Sequence, residues 1–519
     1  MKKSVLFICA DQWRWDCFGF MGHKSAHTPN IDELVSRSTA FRKHFTGIVP
    51  CGPARTTMLT GLYPFIHRSV YNGAPLDKRF TSIPLEARKL GYKPALYGYT
   101  DTSYDPRGLE KNDPRLFTYE SPMYGFDQVC HLPEGNPELW ANHLKQHGYK
   151  IKKSNELYNS RQAKKGEGFI YKAWEIPTEH SDTSFLADRA VADLQNATEP
   201  FFMHISFLKP HPPFVVSEPW HSLIDPGSLK PPITHGTKQE MINHHPILKN
   251  MMARYDDENS YPSEINFPEL TKQDISRIQA VYLGMCAEVD SNIGKILKAL
   301  DDSGQMDNTM IIFTSDHGEM LGDYWQWGKN GWWDQSYRIP LIVHTPNCKT
   351  QLIDQMTESV DLAPTIINWL GGDIPADWNG RSLLSIVENT QFQLPPREFV
   401  VFEWDFREPY YTDFIEKLKL APEECNLTVI RSNEWKYVHF PTFPSLLYNL
   451  NNDPYEKDNL ASNPTYDSIK AEMAGKLLSH RMLHAERQMS NTKLTSTGPQ
   501  TLHGPPHRRI LKNKNPIIC

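Results

Sequence analysis

Ser4-Val5-Leu6-Phe7-Ile8-Cys9-Ala10 runs without a break into Asp11-Gln12. An apolar run with no polar alternation reads as a strand buried on both faces, and an acid at its end is what such a strand delivers to the carboxyl edge of a parallel sheet. A second run, Thr309-Met310-Ile311-Ile312-Phe313-Thr314-Ser315, ends the same way in Asp316-His317-Gly318. Taken alone, Asp-Gln after a strand also serves as a turn or helix cap, and Asp-His-Gly as an ordinary loop. Further strands, Phe201-Phe202-Met203-His204-Ile205-Ser206 and Pro340-Leu341-Ile342-Val343-His344, alternate with helical patterns. The clearest helix starts near Thr271, with Asp274 in its first turn. It lines up Ile278, Tyr282, Met285, Val289, Ile293 and Ile296 on one core face to about Leu300. This alternation predicts an α/β fold, a large mainly parallel sheet sandwiched by helices, with ligands at the carboxyl ends of its strands.

Between the two strands lies Cys51-Gly52-Pro53-Ala54-Arg55-Thr56-Thr57-Met58-Leu59-Thr60-Gly61. Pro53 suits the first turn of a helix, so Cys51 falls at or just before a helix N-terminus, where backbone N–H groups and the macrodipole favour anions. Arg55, four residues on, shares that face and offers a fork of donors for a tetrahedral oxyanion or for the nucleophile. A buried structural cysteine is the plainer alternative for such a position. The run as a whole resembles the type I sulfatase signature, in which the cysteine is oxidised after translation to formylglycine. That resemblance implies an alkaline phosphatase-like hydrolase of sulfate or phosphate-type esters, matured by a formylglycine-generating enzyme. By position it implies Asp11, Gln12, Asp316, His317 and the modified Cys51 as ligands of one divalent metal. The cation lowers the pKa of the hydroxyl that attacks. Oxygen ligands suit calcium, magnesium or manganese, and the imidazole of His317 favours manganese, with calcium as the alternative.

Segments beyond this helix bear on the ester class. Ordinary arylsulfatases carry a Gly-Lys-Trp-His segment after a Gly-Tyr-x-Thr stretch, whereas the stretch from Gly91-Tyr92 to Asp105-Pro106-Arg107 lacks it. This resembles the phosphonate monoester hydrolase and phosphodiesterase branch of the superfamily. So do Arg68-Ser69-Val70-Tyr71-Asn72-Gly73, Lys209-Pro210-His211-Pro212-Pro213-Phe214 and Trp327-Gly328-Lys329. The resemblance implies Asn72 and Tyr99 as substrate contacts, and Cys51, Arg55, His211 and Lys329 as catalytic groups, with His211 the general acid. Asp101 stands where that branch tends to place a threonine, and a charged carboxylate there would repel a dianion. Such hydrolysis needs roughly 15 to 20 kcal/mol of barrier reduction, of which one general acid supplies about 3 to 5. Most of the effect therefore falls to the metal, Arg55, Lys329 and the aligned nucleophile. The expected activity is hydrolysis of phosphonate monoesters and phosphodiesters with a side activity on sulfate esters. The alternatives are a dedicated sulfatase and, if Cys51 stays a thiol, a non-catalytic binding protein on the same fold.

The chain has 519 residues, 39% hydrophobic and 22% charged, with a formal net charge of -6. These values fit a large globular protein, with no electrostatic footprint for a nucleic acid polymer and no run of membrane-spanning length. The catalytic domain is expected over 1–397, with a Pro- and His-rich insertion around 134–268. A C-terminal subdomain is expected over 398–519. There Leu427-Thr428-Val429-Ile430-Arg431, Trp435-Lys436-Tyr437-Val438-His439-Phe440 and Asn452-Asp453-Pro454 resemble the small antiparallel sheet and turn of sulfatases. Eight cysteines without a CxxC pair, one of them required as a free thiol, favour a reducing, cytoplasmic compartment. Trp325, Trp327, Trp332 and Trp333 beside Lys329 suit core, pocket wall or subunit contact equally. The basic group His507-Arg508-Arg509, Lys512 and Lys514 reads as a solvated tail or subunit contact. The partners expected are a small ester and further copies of the chain in a homo-oligomer.

Overall fold

Ser4–Ala10 is a strand buried along its whole length, lying between Thr309–Ser315 and Phe202–Phe207 and parallel to both. A computed structural model describes residues 3–158, 162–197, 200–256, 261–390, 394–408, 411–486, 489–490 and 492–501. The basic group at 507–514 lies outside them. The sheet has nine strands, ordered Thr357–Glu358, Thr39–Phe45, Arg338–His344, Thr309–Ser315, Ser4–Ala10, Phe202–Phe207, Pro94–Gly98 and Asp127–His131, with Gln351–Ile353 also paired to Thr39–Phe45. Only Arg338–His344 runs antiparallel to its neighbours. The expectation of a mainly parallel sheet flanked by helices holds.

The helix predicted from Thr271 spans Lys272–Asp302, and Thr271 and Asp274 form a reciprocal capping box at its start. It packs against the helices Asp182–Gln195 and Pro29–Val35. Its apolar stripe is buried as expected, but Tyr282 does more than fill space. Its hydroxyl donates to the Gln12 carbonyl at 2.7 Å and accepts from the Arg14 amide at 2.8 Å. The long helix thereby fixes the backbone just past the first strand, where Gln12 adopts a φ of 66°.

A second, five-stranded sheet is ordered Leu446–Asn449, Trp435–His439, Asn426–Ser432, Phe399–Asp405 and Ile48–Val49. Its pairings are antiparallel except the last. Ile48–Val49 leads directly into the helix Cys51–Thr60, so the smaller sheet anchors the segment that carries the sulfatase-like signature. Trp332 and Trp333 stack at 4.4 Å in the apolar core beneath that sheet, while Trp327 reaches the wall of the main cavity.

The stretch 134–268 contains the core strand Phe202–Phe207 and the helices Glu138–Gln146 and Asp182–Gln195. The loop after that strand, which carries His211, is pinned by Lys209. The buried ammonium of Lys209 pairs with Glu288 at 2.7 Å and Asp182 at 3.1 Å. Removing one partner of a buried ion cluster strands the others. Lys209→Ala is therefore expected to cost about 3 to 5 kcal/mol, read as a fall in the denaturation midpoint.

Candidate active site

Parallel register decides what meets at the sheet edge. Ala10 pairs with Ser315, so Asp11 and Asp316 emerge side by side from adjacent strands. Cys51, the first residue of its helix, meets them from the opposite side, and His317 closes the group. The Cys51 Sγ lies 3.8 Å from Asp11 Oδ1 and 3.2 Å from His317 Nε2. His317 Nε2 is in turn 3.7 Å from Asp11 Oδ1 and 3.8 Å from Asp316 Oδ1. Donor atoms around a cation at roughly 2.2 Å lie about 3.1 to 3.6 Å apart, so this donor set is close to the size a divalent ion requires. Its chemistry fits too. His317 Nδ1 donates to the Gly318 carbonyl at 3.0 Å, which leaves the Nε2 lone pair facing the cluster. Burial, with Lys329 beside it, holds the His317 pKa well below the usual value and keeps the ring neutral. Burial and the adjoining Asp11 push Asp316 up. For Asp11, burial is outweighed by His211, Arg55, His317 and Lys329, which hold it low.

Gln12 stands at the same edge. Its backbone amide donates to Asp316 Oδ1 at 3.1 Å, its side-chain amide donates to Glu319, and its Oε1 accepts from Lys329 Nζ at 2.8 Å. Glu319, fully buried, also receives the amides of Leu321 and Gly328. It thus links Gln12 to the loop that presents Lys329, a role the sequence did not suggest although it follows Asp316-His317-Gly318 directly. Lys329 Nζ donates to Cys51 Sγ at 3.2 Å. Burial opposes its charge, but Cys51, Asp11 and Asp316 outweigh burial and keep it protonated.

Arg55 is wholly buried, and its fork turns toward the carboxylates. Nε donates to Asp316 Oδ2 at 2.9 Å and Nη2 to Asp11 Oδ2 at 3.0 Å. Nη1 donates to the Tyr99 carbonyl and to Ser206 Oγ. It braces the oxygens of both aspartates that face away from Cys51. The Tyr99 hydroxyl likewise donates to Asp11 Oδ2 at 2.6 Å, its ring packed under the Arg55 guanidinium. Asn72 accepts the Gly52 amide at 3.0 Å through its side-chain oxygen. A Cβ at Gly52 would lie 2.8 Å from the Asp101 carbonyl and 2.9 Å from Asn72 Oδ1. Only glycine lets these segments close over the helix N-terminus.

Asp11, Gln12, Cys51, Asn72, Tyr99 and Lys329 line a cavity of about 610 Å³ together with His211, Tyr261, Glu134, Trp327 and Asp101. His211 Nδ1 donates to the Pro212 carbonyl at 2.7 Å, so in the neutral ring Nε2 is an acceptor. Burial, then the charge of Lys329, lowers its pKa to about 4. Burial raises Glu134 to about 7 against its hydrogen bond from Tyr261. Asp101 holds a left-handed φ of 48°, and burial raises its pKa well above the ordinary carboxylate range. A neutral acid offers a hydrogen bond where a carboxylate would repel a dianion. Asp101→Asn, neutral and tolerant of the same backbone, is expected to change kcat/KM by no more than about threefold, as measured on a phosphodiester.

Comparison with known proteins locates this geometry. The family model described as sulfatase matches residues 3–372, and the model described as N-sulphoglucosamine sulphohydrolase, C-terminal, matches residues 322–482. The chain belongs to the sulfatase family. The family match, together with the relatives that follow, puts it in the alkaline phosphatase superfamily and among ester hydrolases. The sulfatase chain is 36% identical to the multifunctional alkaline phosphatase superfamily protein PehA of Trinickia caryophylli, over 96% of this chain and 99% of that protein. It superposes on the phosphonate monoester hydrolase of Agrobacterium radiobacter with a TM-score of 0.90 and 37% identity, covering 97% and 100% of the two chains. A choline-sulfatase of Rhizobium meliloti (strain 1021) is 26% identical over 89% of this chain and 83% of its own.

Proposed function

We propose that this sulfatase-family hydrolase acts on phosphonate monoesters and phosphodiesters through a formylglycine made from Cys51, with a weaker sulfatase activity. The observation that carries the reading is the whole-length identity of 36% to PehA and 37% to a phosphonate monoester hydrolase, against 26% to a choline-sulfatase. The missing Lys-Trp-His element agrees with it. A side-by-side assay of a phosphonate monoester, a phosphodiester and a sulfate monoester tests it. The phosphorus esters should show the higher kcat/KM, and a preference for the sulfate ester would return the chain to the dedicated sulfatases.

Asp11, Asp316, His317 and the converted Cys51 would hold the metal together with Gln12, whose Oε1 here accepts from Lys329, with manganese preferred to calcium because of the imidazole. Such an ion supplies Lewis acidity and a lowered pKa for the attacking hydroxyl. Burial, then Asp11, raises the Cys51 thiol far above its ordinary pKa, so the unconverted side chain is a poor nucleophile. That favours conversion over thiolate chemistry. Lys329, held charged beside Cys51, offsets negative charge that builds on the transferred group. Arg55 and Tyr99 hold both aspartates in place from behind. Asn72, beside Gly52, and the neutral Asp101 face the cavity as contacts for the ester oxygens.

His211 is the general acid in this reading, and its geometry sets a condition. With Nδ1–H committed to Pro212, only the imidazolium can donate from Nε2. Burial and then Lys329 keep the ring neutral in the free protein, so the general-acid role requires it to take up that proton when an anionic ester enters and offsets the Lys329 charge. Binding a phosphonate at neutral pH is therefore expected to take up protons, seen as buffer-dependent binding heat that His211→Ala abolishes. The same variant should slow alkyl esters by about 10² to 10⁴ and activated nitrophenyl esters far less. A flat penalty across leaving groups would reduce His211 to a positioning residue. A homo-oligomer that works on a small ester in the cytoplasm completes the reading. All seven described cysteines are free, as a reducing compartment keeps them, and no helix among the described residues is long and apolar enough to cross a membrane.

A further inference from the structure

Three histidines converge at a place that contributes nothing to the cavity. His143 lies in the last turn of the helix Glu138–Gln146, and His147 caps that helix, so the two side chains share one face. His180 ends the turn Thr178–His180, just before the helix Asp182–Gln195. One ring nitrogen from each lies within 4.8 Å of those of the other two. His143 Nε2 and His180 Nδ1 are 3.3 Å apart. Nitrogens bound tetrahedrally to zinc at about 2.0 to 2.1 Å are separated by about 3.3 Å, so this pair already has the spacing of two ligands on one ion.

The surroundings favour a cation. His147 Nδ1 donates to the His143 carbonyl at 2.9 Å, which leaves Nε2 as the lone-pair nitrogen and fixes the ring as metal-bound histidines usually are fixed. Trp140 Nε1 donates to the His180 carbonyl at 2.8 Å, and the His143 ring packs on Phe185 at 5.0 Å. The position is a helix C-terminus, where the macrodipole is negative. Burial, then the neighbouring His147 and His180, lowers the His143 pKa, so the ring is in the neutral form that binds metal.

We propose that His143, His147 and His180 form a second metal site, for a zinc-type divalent ion, which ties the helix Glu138–Gln146 to the turn that opens Asp182–Gln195. Three imidazoles and no carboxylate select zinc, nickel or copper over magnesium, calcium or manganese. The catalytic cluster, with two carboxylates, has the opposite bias, so the two sites are separable by choice of ion. Closing the intervening chain with a metal clip removes conformational freedom from the unfolded state. The role is structural and does not depend on which ester the enzyme hydrolyses.

The test uses full-length protein carrying Cys51→Ala and Asp316→Asn, which cripple the catalytic cluster, stripped with a chelator and titrated calorimetrically with Zn²⁺. One equivalent should bind and raise the melting temperature, and Mg²⁺ should do neither. His147→Ala, an exposed ring that fills no core, should weaken zinc at least about tenfold and abolish the thermal shift, and His143→Ala should do the same. In Mn²⁺-loaded protein with an unaltered catalytic cluster, the same substitutions should remove one zinc equivalent. The absence of zinc binding in the parent, or equal affinity in both variants, would overturn the site and leave a hydrogen-bonded histidine cluster. Either result leaves the ester hydrolase reading untouched.

Discussion

Replacing Cys51 by alanine is expected to lower kcat by roughly 10⁴- to 10⁶-fold for every ester class, the scale on which enzymes lose a nucleophile. Cys51 begins its helix against Asp11, His317 and Lys329, so the substitution removes both the reacting atom and one metal donor. It removes little core volume, and the denaturation midpoint should stay close to that of the parent. Steady-state rates on a phosphonate monoester, a phosphodiester and a sulfate monoester check this directly. Retained turnover of any one of them would mean that a second nucleophile serves that ester.

Arg55→Ala should fail differently, by unfolding as well as by inactivity. The guanidinium is wholly enclosed and ties Asp11, Asp316, the Tyr99 carbonyl and Ser206 together. Its loss takes the directly bonded counter-charge from two buried carboxylates, at a cost of about 3 to 5 kcal/mol. Metal affinity should fall along with stability, because the aspartates lose the contacts that aim them at Cys51. Arg55→Lys is not a rescue, since a single ammonium cannot meet four acceptors that are arranged around a planar fork. Denaturant unfolding and metal content measured on the same preparations separate the two effects. An alanine variant of normal stability and metal content that had lost only turnover would place Arg55 on the ester instead.

That distinction marks where the sequence stops being informative. The strands that deliver Asp11 and Asp316 were legible because each hydrophobic run gives way to an acid, and the apolar face from Ile278 to Ile296 announced the long helix. The register that sets the two aspartates side by side brings Gln12 and His317 with them, and the start of a separate helix adds Cys51. Helical spacing put Arg55 on the face of Cys51 but could not show where its donors end. The acceptors come from segments more than 40 residues away in the chain. Tyr282 looked like one more apolar position, because nothing local reveals that its hydroxyl meets the Gln12 carbonyl. Asp101 read as a charge, since burial, which raises its pKa, is a property of the fold. His180 stands 33 residues from His147, and only the packing of the two segments makes them neighbours.

The proposed chemistry rests on Cys51 becoming an aldehyde. Conversion removes H₂S and adds an oxygen, so the mass of the peptide spanning Cys51 reports it without ambiguity. Protein produced with graded amounts of a formylglycine-generating enzyme, loaded with Mn²⁺ and assayed on a phosphodiester, should show kcat per chain rising in proportion to the converted fraction and reaching zero with it. Full turnover from chains whose Cys51 peptide retains the mass of the thiol would contradict it.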